Sequence, residues 1–162
     1  MPSVRLEYDI FPEAAALEPS LQELIREAQY AAEHLAYAPY SGFQVGAAVL
    51  LANGQIIRGS NQENASFPAG TCAERVALHT AAVLHPGVTV TAIAITYTKK
   101  QIDPSMMHEV LSPCGICRQV INEVSQRQQA AIHILMCSAD GTILSVKDAK
   151  ELLPFSFGSK ML

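Results

Sequence analysis

Apolar positions recur along the chain with two distinct periods, and each run ends at a recognisable turn or helix stop. Leu21, Leu24, Ile25, Ala28, Ala31, Ala32 and Leu35 fall at helical spacing behind Ser20 and Glu23, which read as a capping box, so a one-sided helix starts there and ends before Pro39. Val45 to Leu51 is short, apolar and strand-like, Asn53-Gly54 is a hairpin signal, and Gln55 to Ser60 is the returning strand. Asn61 to Gly70 has no period and reads as a loop leading into a helix that starts near Thr71. Val88 to Thr98 predicts a third strand, with Ile93 and Ile95 alternating against alanines, and the polar stretch from Lys99 to Glu109 reads as a surface excursion. Ser112-Pro113 predicts the next helix start, serine as N-cap and proline at the first helical position, with the helix extending to about Gln129. Ala131 to Cys137 and Thr142 to Val146 are strands joined by the turn Ala139-Asp140-Gly141, and Lys147 to Leu153 is a last short helix stopped by Pro154.

The order α-β-β-α-β-α-β-β-α predicts an α/β protein: helices cover both faces of a mixed, five-stranded sheet in three α-β-α layers. The two-strand turns require antiparallel neighbours, whereas the β-α-β stretch from Val88 to Cys137 predicts a right-handed parallel crossover. No repeat, linker or low-complexity tract interrupts the 162 residues, so residues 1–162 are expected to form one domain. Hydrophobic residues are 49% of the chain, aromatics only 6%, and tryptophan is absent. Small aliphatics therefore dominate, which suits a closely packed core and leaves apolar surface for a subunit interface. The net charge of −4 and the lack of any Lys/Arg cluster argue against a nucleic-acid partner, because phosphate contacts dominate that affinity. Four cysteines with no signal-like or membrane-length apolar run point to a cytoplasmic chain with reduced thiols and no membrane partner.

The cysteines carry the chemistry. Cys114 and Cys117 are three apart at a helix start, where both sulfurs can point one way and the helix end favours thiolate. Cys72, opening another helix, would make a third sulfur ligand. Zinc takes four protein ligands when structural and three plus water when catalytic, so three thiolates beside Glu74 look like an open site. Glu74, two residues from Cys72, is placed to hydrogen-bond that water. A structural site would need a fourth ligand, for which the candidates are Cys137 and five histidines. Cys137 lies in an apolar strand and reads as a core thiol, while His79 is seven positions from Cys72, two helical turns away. Thr71 to Glu74 also fits a simple capping box.

Cys-x-Glu followed by Pro-Cys-x-x-Cys is the known signature of the zinc deaminases, met here as Cys72-Ala73-Glu74 and Pro113-Cys114-Gly115-Ile116-Cys117. With Phe43-Gln44-Val45-Gly46-Ala47-Ala48, Asn61-Gln62-Glu63-Asn64, Ser112 to Gln119, Leu152-Leu153-Pro154 and Ser156-Phe157-Gly158, the chain resembles the short cytidine deaminases from the first helix to the C-terminus. The resemblance implies a cytidine-deaminase-like fold, one zinc per chain on Cys72, Cys114 and Cys117, and Glu74 moving the proton between water, the base N3 and the departing amine. It also implies that Asn61 and Glu63 hold the ribose, Phe43 packs on the base, and the Ala73 N–H and Ser112 carbonyl meet the pyrimidine edge. Arg75 would offset the thiolate charge. The small-molecule partner would be a free cytosine nucleoside, because a carboxylate at the ribose 3′ position repels a phosphodiester. The family is homotetrameric, with a C-terminal phenylalanine completing a neighbour's site, a position that Phe157 fits. Phe67 stands where many relatives carry tyrosine. A modified cytosine nucleoside, as in the blasticidin S deaminases, or a silent zinc-stabilised interaction module are the competing readings.

Overall fold

The computed structural model describes residues 1, 3–99, 103 and 107–162. The elements run β1 (Asp9–Phe11), α1 (Pro19–His34), β2 (Phe43–Leu51), β3 (Ile56–Ser60), α2 (Ala73–Leu84), β4 (Val90–Lys99), α3 (Gly115–Gln128), β5 (His133–Cys137) and β6 (Ile143–Val146). They build one mixed sheet in the order β1-β6-β5-β4-β2-β3, in which β4 and β5 are parallel and every other pair antiparallel. The expected hairpins and the parallel β4-α3-β5 crossover are therefore present.

The sheet has six strands rather than the expected five. The addition is β1, three residues paired with β6 at Asp9↔Ser145, Ile10↔Leu144 and Phe11↔Ile143. A strand this short carries no measurable alternation, and it forms because the exposed edge of β6 offers unpaired backbone groups. Helix starts differ as well. Pro19, not Ser20, opens α1, with Glu18 as N-cap and no side-chain cap, because proline suits a position whose N–H has no partner. Cys114, not Ser112, caps α3, and Gly115 is its first residue. The last helix is only a 3₁₀ turn, Ala149–Leu152, capped by Asp148 Oδ1 accepting from the Lys150 N–H at 3.0 Å. Of the expected excursion from Lys99 to Glu109, residues 100–102 and 104–106 lie outside the described set.

Strand alternation sorts the core into two layers. Ala47, Val49 and Leu51 of β2 and Ile93 and Ile95 of β4 face α2 and α3, packing on Ala77, Leu78 and Ile121. Ala48, Ala92, Ala94, Leu135 and Cys137 face α1, packing on Leu24, Ile25 and Ala28. Two glycines let helices sit on the sheet backbone itself. A Cβ on Gly46 would lie 2.0 Å from the Ala28 carbonyl oxygen, and one on Gly59 would lie 2.4 Å from both the Ala73 oxygen and the Ala77 nitrogen. The alanine-rich composition is what permits such close approach. β3 and β4 are both antiparallel to β2 and so run in the same direction. Their C-terminal ends share one edge of the sheet, and α2 and α3, which follow them, both begin at that edge.

Candidate active site

At this shared edge the N-termini of α2 and α3 bring three sulfurs together. Cys72 is the N-cap of α2, Cys114 the N-cap of α3, and Cys117 lies in the first turn of α3. The Cys72 and Cys114 sulfurs are 3.8 Å apart, those of Cys114 and Cys117 3.5 Å, and all three lie within 4.8 Å of one another. All four cysteines are free thiols, and Cys137 is buried in β5 among apolar neighbours, where burial pushes its thiol up to about 12. It is a core thiol, as its strand suggested. Among the described residues no histidine joins the cluster.

Three sulfurs at these distances cannot all carry charge unaided. The hydrogen bond from Cys117 pulls the Cys72 thiol well below the usual range, while the same bond, with burial, pushes Cys117 far up. A divalent cation relieves that opposition by taking all three as thiolates, so the donor set fits a soft, tetrahedral metal such as zinc. Arg75 adds an independent indication. Its Nη2 donates to the Gly70 carbonyl at 3.1 Å, its charge helps to lower the Cys72 thiol, and its buried Nε has no hydrogen-bond partner among the described residues. A guanidinium left partly unspent beside sulfur suits a centre that bears net negative charge.

A cavity of about 360 Å³ opens above the sulfurs. Of the residues singled out from sequence, Phe43, Asn61, Glu63, Ala73, Glu74 and Ser112 line it together with Cys72 and Cys114. Glu74 is 4% exposed, and burial, helped by the Cys72 charge, raises its carboxyl above the ordinary range. Such a group holds a proton more readily than a solvated glutamate, which suits proton transfer. The N-cap is Cys72 rather than Thr71, and no side chain caps the helix, so the capping-box reading of Thr71 to Glu74 fails. Asn61 stitches the loop to β2: its Oδ1 accepts from the Val45 N–H at 2.8 Å and its Nδ2 donates to the Phe43 carbonyl at 2.9 Å. One amide proton and one lone pair remain. The Glu63 carboxylate accepts from the Tyr40 N–H at 2.9 Å and from both the hydroxyl and the N–H of Ser41. These bonds, the hydroxyl's first, hold Glu63 below the ordinary carboxylate range and keep it anionic. Phe43 is braced by Tyr97, with ring centroids 5.2 Å apart.

Phe157 is not part of this chain's own cavity. It is 57% exposed, and among the described residues its carbonyl is anchored by Gln119 Nε2 at 3.0 Å and Asn122 Nδ2 at 3.5 Å. Phe67, 81% exposed, stands on the cavity wall beside the 3₁₀ turn it opens. The sequence reading missed Val45 and Leu111 as lining residues. Val45 was findable, since it shares a face of β2 with Phe43 at i,i+2. The support of Glu63 by Tyr40 and Ser41 was not, because it depends on a loop conformation.

The chain matches the family model described as the cytidine and deoxycytidylate deaminase zinc-binding region over residues 19–132. It is 42% identical over 136 residues to a cytidine deaminase of Halalkalibacterium halodurans, spanning 84% of this chain and 92% of the relative. A cytidine deaminase of Sporosarcina psychrophila is 36% identical over 143 residues, 88% of this chain and 94% of that one. Among solved structures, cytidine deaminase from Burkholderia pseudomallei superposes with a TM-score of 0.70 at 36% identity, covering 83% of this chain and 97% of that chain. The Mycobacterium tuberculosis cytidine deaminase gives 0.60 at 30% identity, covering 85% and 97%.

Proposed function

The chain belongs to the cytidine deaminase family and is an enzyme of cytidine deamination, and we propose that it works as a zinc-dependent hydrolase of free nucleosides. Cytidine and 2′-deoxycytidine are the substrates, uridine, 2′-deoxyuridine and ammonia the products, and pyrimidine nucleoside salvage the setting. The observation that supports this best is a cluster of three sulfurs whose Cys72 and Cys114 line, with the buried Glu74 carboxyl, one cavity of nucleoside size that also carries the anionic Glu63 carboxylate on its wall.

Zinc, when bound by Cys72, Cys114 and Cys117, supplies a Lewis acid that brings the pKa of water to roughly 7. Glu74 takes the proton released at that point, holds it on its carboxyl, and delivers it to N3 of the cytosine ring as C4 is attacked. The same carboxyl then takes the proton of the hydroxyl now carried by C4 and passes it to the amine, which leaves as ammonia when the C4–N bond breaks and the C4 carbonyl forms. The burial that raises Glu74 favours the proton-bearing state between the two transfers. Ala73 opens α2, so its N–H has no intrahelical acceptor and is free for the pyrimidine edge, with the Ser112 carbonyl as the opposing group. Phe43, steadied by Tyr97, packs on the base. Asn61 keeps a spare donor and acceptor for the ribose. Glu63 accepts a hydrogen bond from a free 3′-hydroxyl and repels a phosphodiester at the same place. Arg75 offsets the thiolate charge.

The same reading assigns residues 1–162 to one catalytic domain that works as a homotetramer. Phe157, exposed and outside its own cavity, would complete a neighbour's site. No helix among the described residues is long and apolar enough to cross a membrane, and four free thiols suit the reducing cytoplasm. The test is to incubate the zinc-loaded protein with cytidine, deoxycytidine, cytosine and a short single-stranded oligonucleotide, following ammonia. Release from the two nucleosides is expected. Release from the oligonucleotide alone would overturn the nucleoside assignment.

A further inference from the structure

Arg118 follows the ligand Cys117 directly, yet its side chain is spent on main chain instead of on sulfur or carboxylate. Its Nε donates to the Pro113 carbonyl at 2.9 Å and its Nη1 to the Leu152 carbonyl at 3.2 Å, while its own N–H donates to the Cys114 carbonyl at 2.9 Å. One residue thus takes the carbonyls of two consecutive positions in the ligand turn, and its far arm takes a third at the end of the 3₁₀ turn Ala149–Leu152. The side chain is half-buried and forms no ion pair among the described residues.

What lies on each side of this fork gives it meaning. The Pro113 carbonyl stands outside α3, between Ser112 and Cys114, and both of these line the cavity. Beyond Leu152 the chain passes Pro154 and reaches Phe157, whose carbonyl is held by the very next residue of α3, Gln119. A guanidinium is planar and rigid, so it sets the two carbonyls in a fixed relation that an ammonium on a flexible stem cannot reproduce. The geometry points to Arg118 as a positioning residue. It ties the Ser112-Pro113-Cys114 turn to the C-terminal segment, so that a ligand thiol and the Ser112 carbonyl are presented to the cavity in register with the tail that carries Phe157. Only the part played by the Ser112 carbonyl rests on the proposed reaction; the hold on the Cys114 ligand does not.

The test uses Arg118→Met and Arg118→Lys in the zinc-loaded full chain, measuring zinc loss to a chelator, KM and kcat for cytidine, and Tm. In Arg118→Met, zinc loss is expected to accelerate about tenfold and KM to rise about tenfold with kcat changed less than about threefold, the kinetic signature of binding energy removed equally from the ground and transition states. Arg118→Lys, able to reach one carbonyl at a time, falls between Met and wild type on both measures. A merely structural residue would lower Tm and leave zinc loss and KM of the folded protein alone. The assignment is overturned if either quantity stays within about twofold of wild type in the folded Met variant, and Arg118→Lys decides by the same criterion if that variant does not fold. Absence of cytidine turnover in the wild type would overturn the reaction instead, and zinc loss alone would then decide Arg118.

Discussion

Gly59→Ala is the smallest change that separates the site from its scaffold. Gly59 touches neither the sulfurs nor the cavity, but the first turn of α2 rests on it. An added Cβ would sit 2.4 Å from the Ala73 oxygen and the Ala77 nitrogen and 2.8 Å from the Ala77 methyl, whereas ordinary contact begins at 3.4 Å. Two of those atoms are backbone and cannot rotate away, so the helix start must retreat by about 1 Å, the difference between 3.4 and 2.4. That turn carries Cys72 as its cap and Glu74 as its second residue. A misplacement of about 1 Å in a catalytic group costs on the order of 10²-fold in rate, and overpacking of this kind costs about 1–3 kcal/mol of stability. For a chain of this size the stability loss lowers Tm by roughly 2–12 °C. The assay follows ammonia release from cytidine, zinc content and thermal unfolding in parallel. The expected result is kcat reduced about a hundredfold, with zinc bound less tightly, in protein that still folds. Adding Ala77→Gly removes only the methyl contact and should not rescue. Wild-type kcat, zinc content and Tm in Gly59→Ala would refute the claim that this contact sets the position of the α2 N-terminus.

Three further outcomes are expected. Glu74→Gln keeps the shape and the three sulfurs but loses the proton carrier, so zinc stays bound at one per chain while kcat falls by about 10²–10⁴-fold; activity retained at the wild-type level removes Glu74 from the mechanism. Asn61→Ala leaves the Val45 N–H and the Phe43 carbonyl without their side-chain partners, which destabilises by about 1–3 kcal/mol and raises KM as Phe43 loosens; an unchanged Tm would show that the amide is no brace. Phe157→Ala should raise KM while leaving zinc content unchanged, in a protein whose native mass corresponds to four chains. A native mass well below four chains counts against sites shared between subunits.

The elements legible in the sequence were those with long periodic runs: α1 from its apolar face, β2 and β3 around Asn53-Gly54, and the parallel pairing of β4 and β5 from the length of the connection between them. The N-caps of α1 and α3 were misplaced by two residues where two signals competed, Glu18 against Ser20 and Cys114 against Ser112. At α1 the preference of proline for the first helical position outweighed the capping-box pattern, whereas at α3 the start was set by main-chain geometry that residue preference does not encode. β1 was illegible because three residues have no period, and its pairing is set by the edge of β6, far away in the chain.

By itself the sequence determined the donors. Cys-x-Glu and Cys-x-x-Cys are local patterns whose chemistry follows from thiolate, carboxylate and helix end, and these required no partner from elsewhere in the chain. Only the tertiary structure decided that Cys72 meets Cys114, 42 positions on. The physical reason is strand direction: β3 and β4 both run antiparallel to β2, so the helices that follow them begin at one edge of the sheet. Gly59 lets the first of those helices lie directly on the sheet, and the Arg118 fork sets the turn before the second. Neither contact leaves a periodic or spacing signal, because each joins a side chain, or the lack of one, to backbone distant in sequence or hidden within a turn.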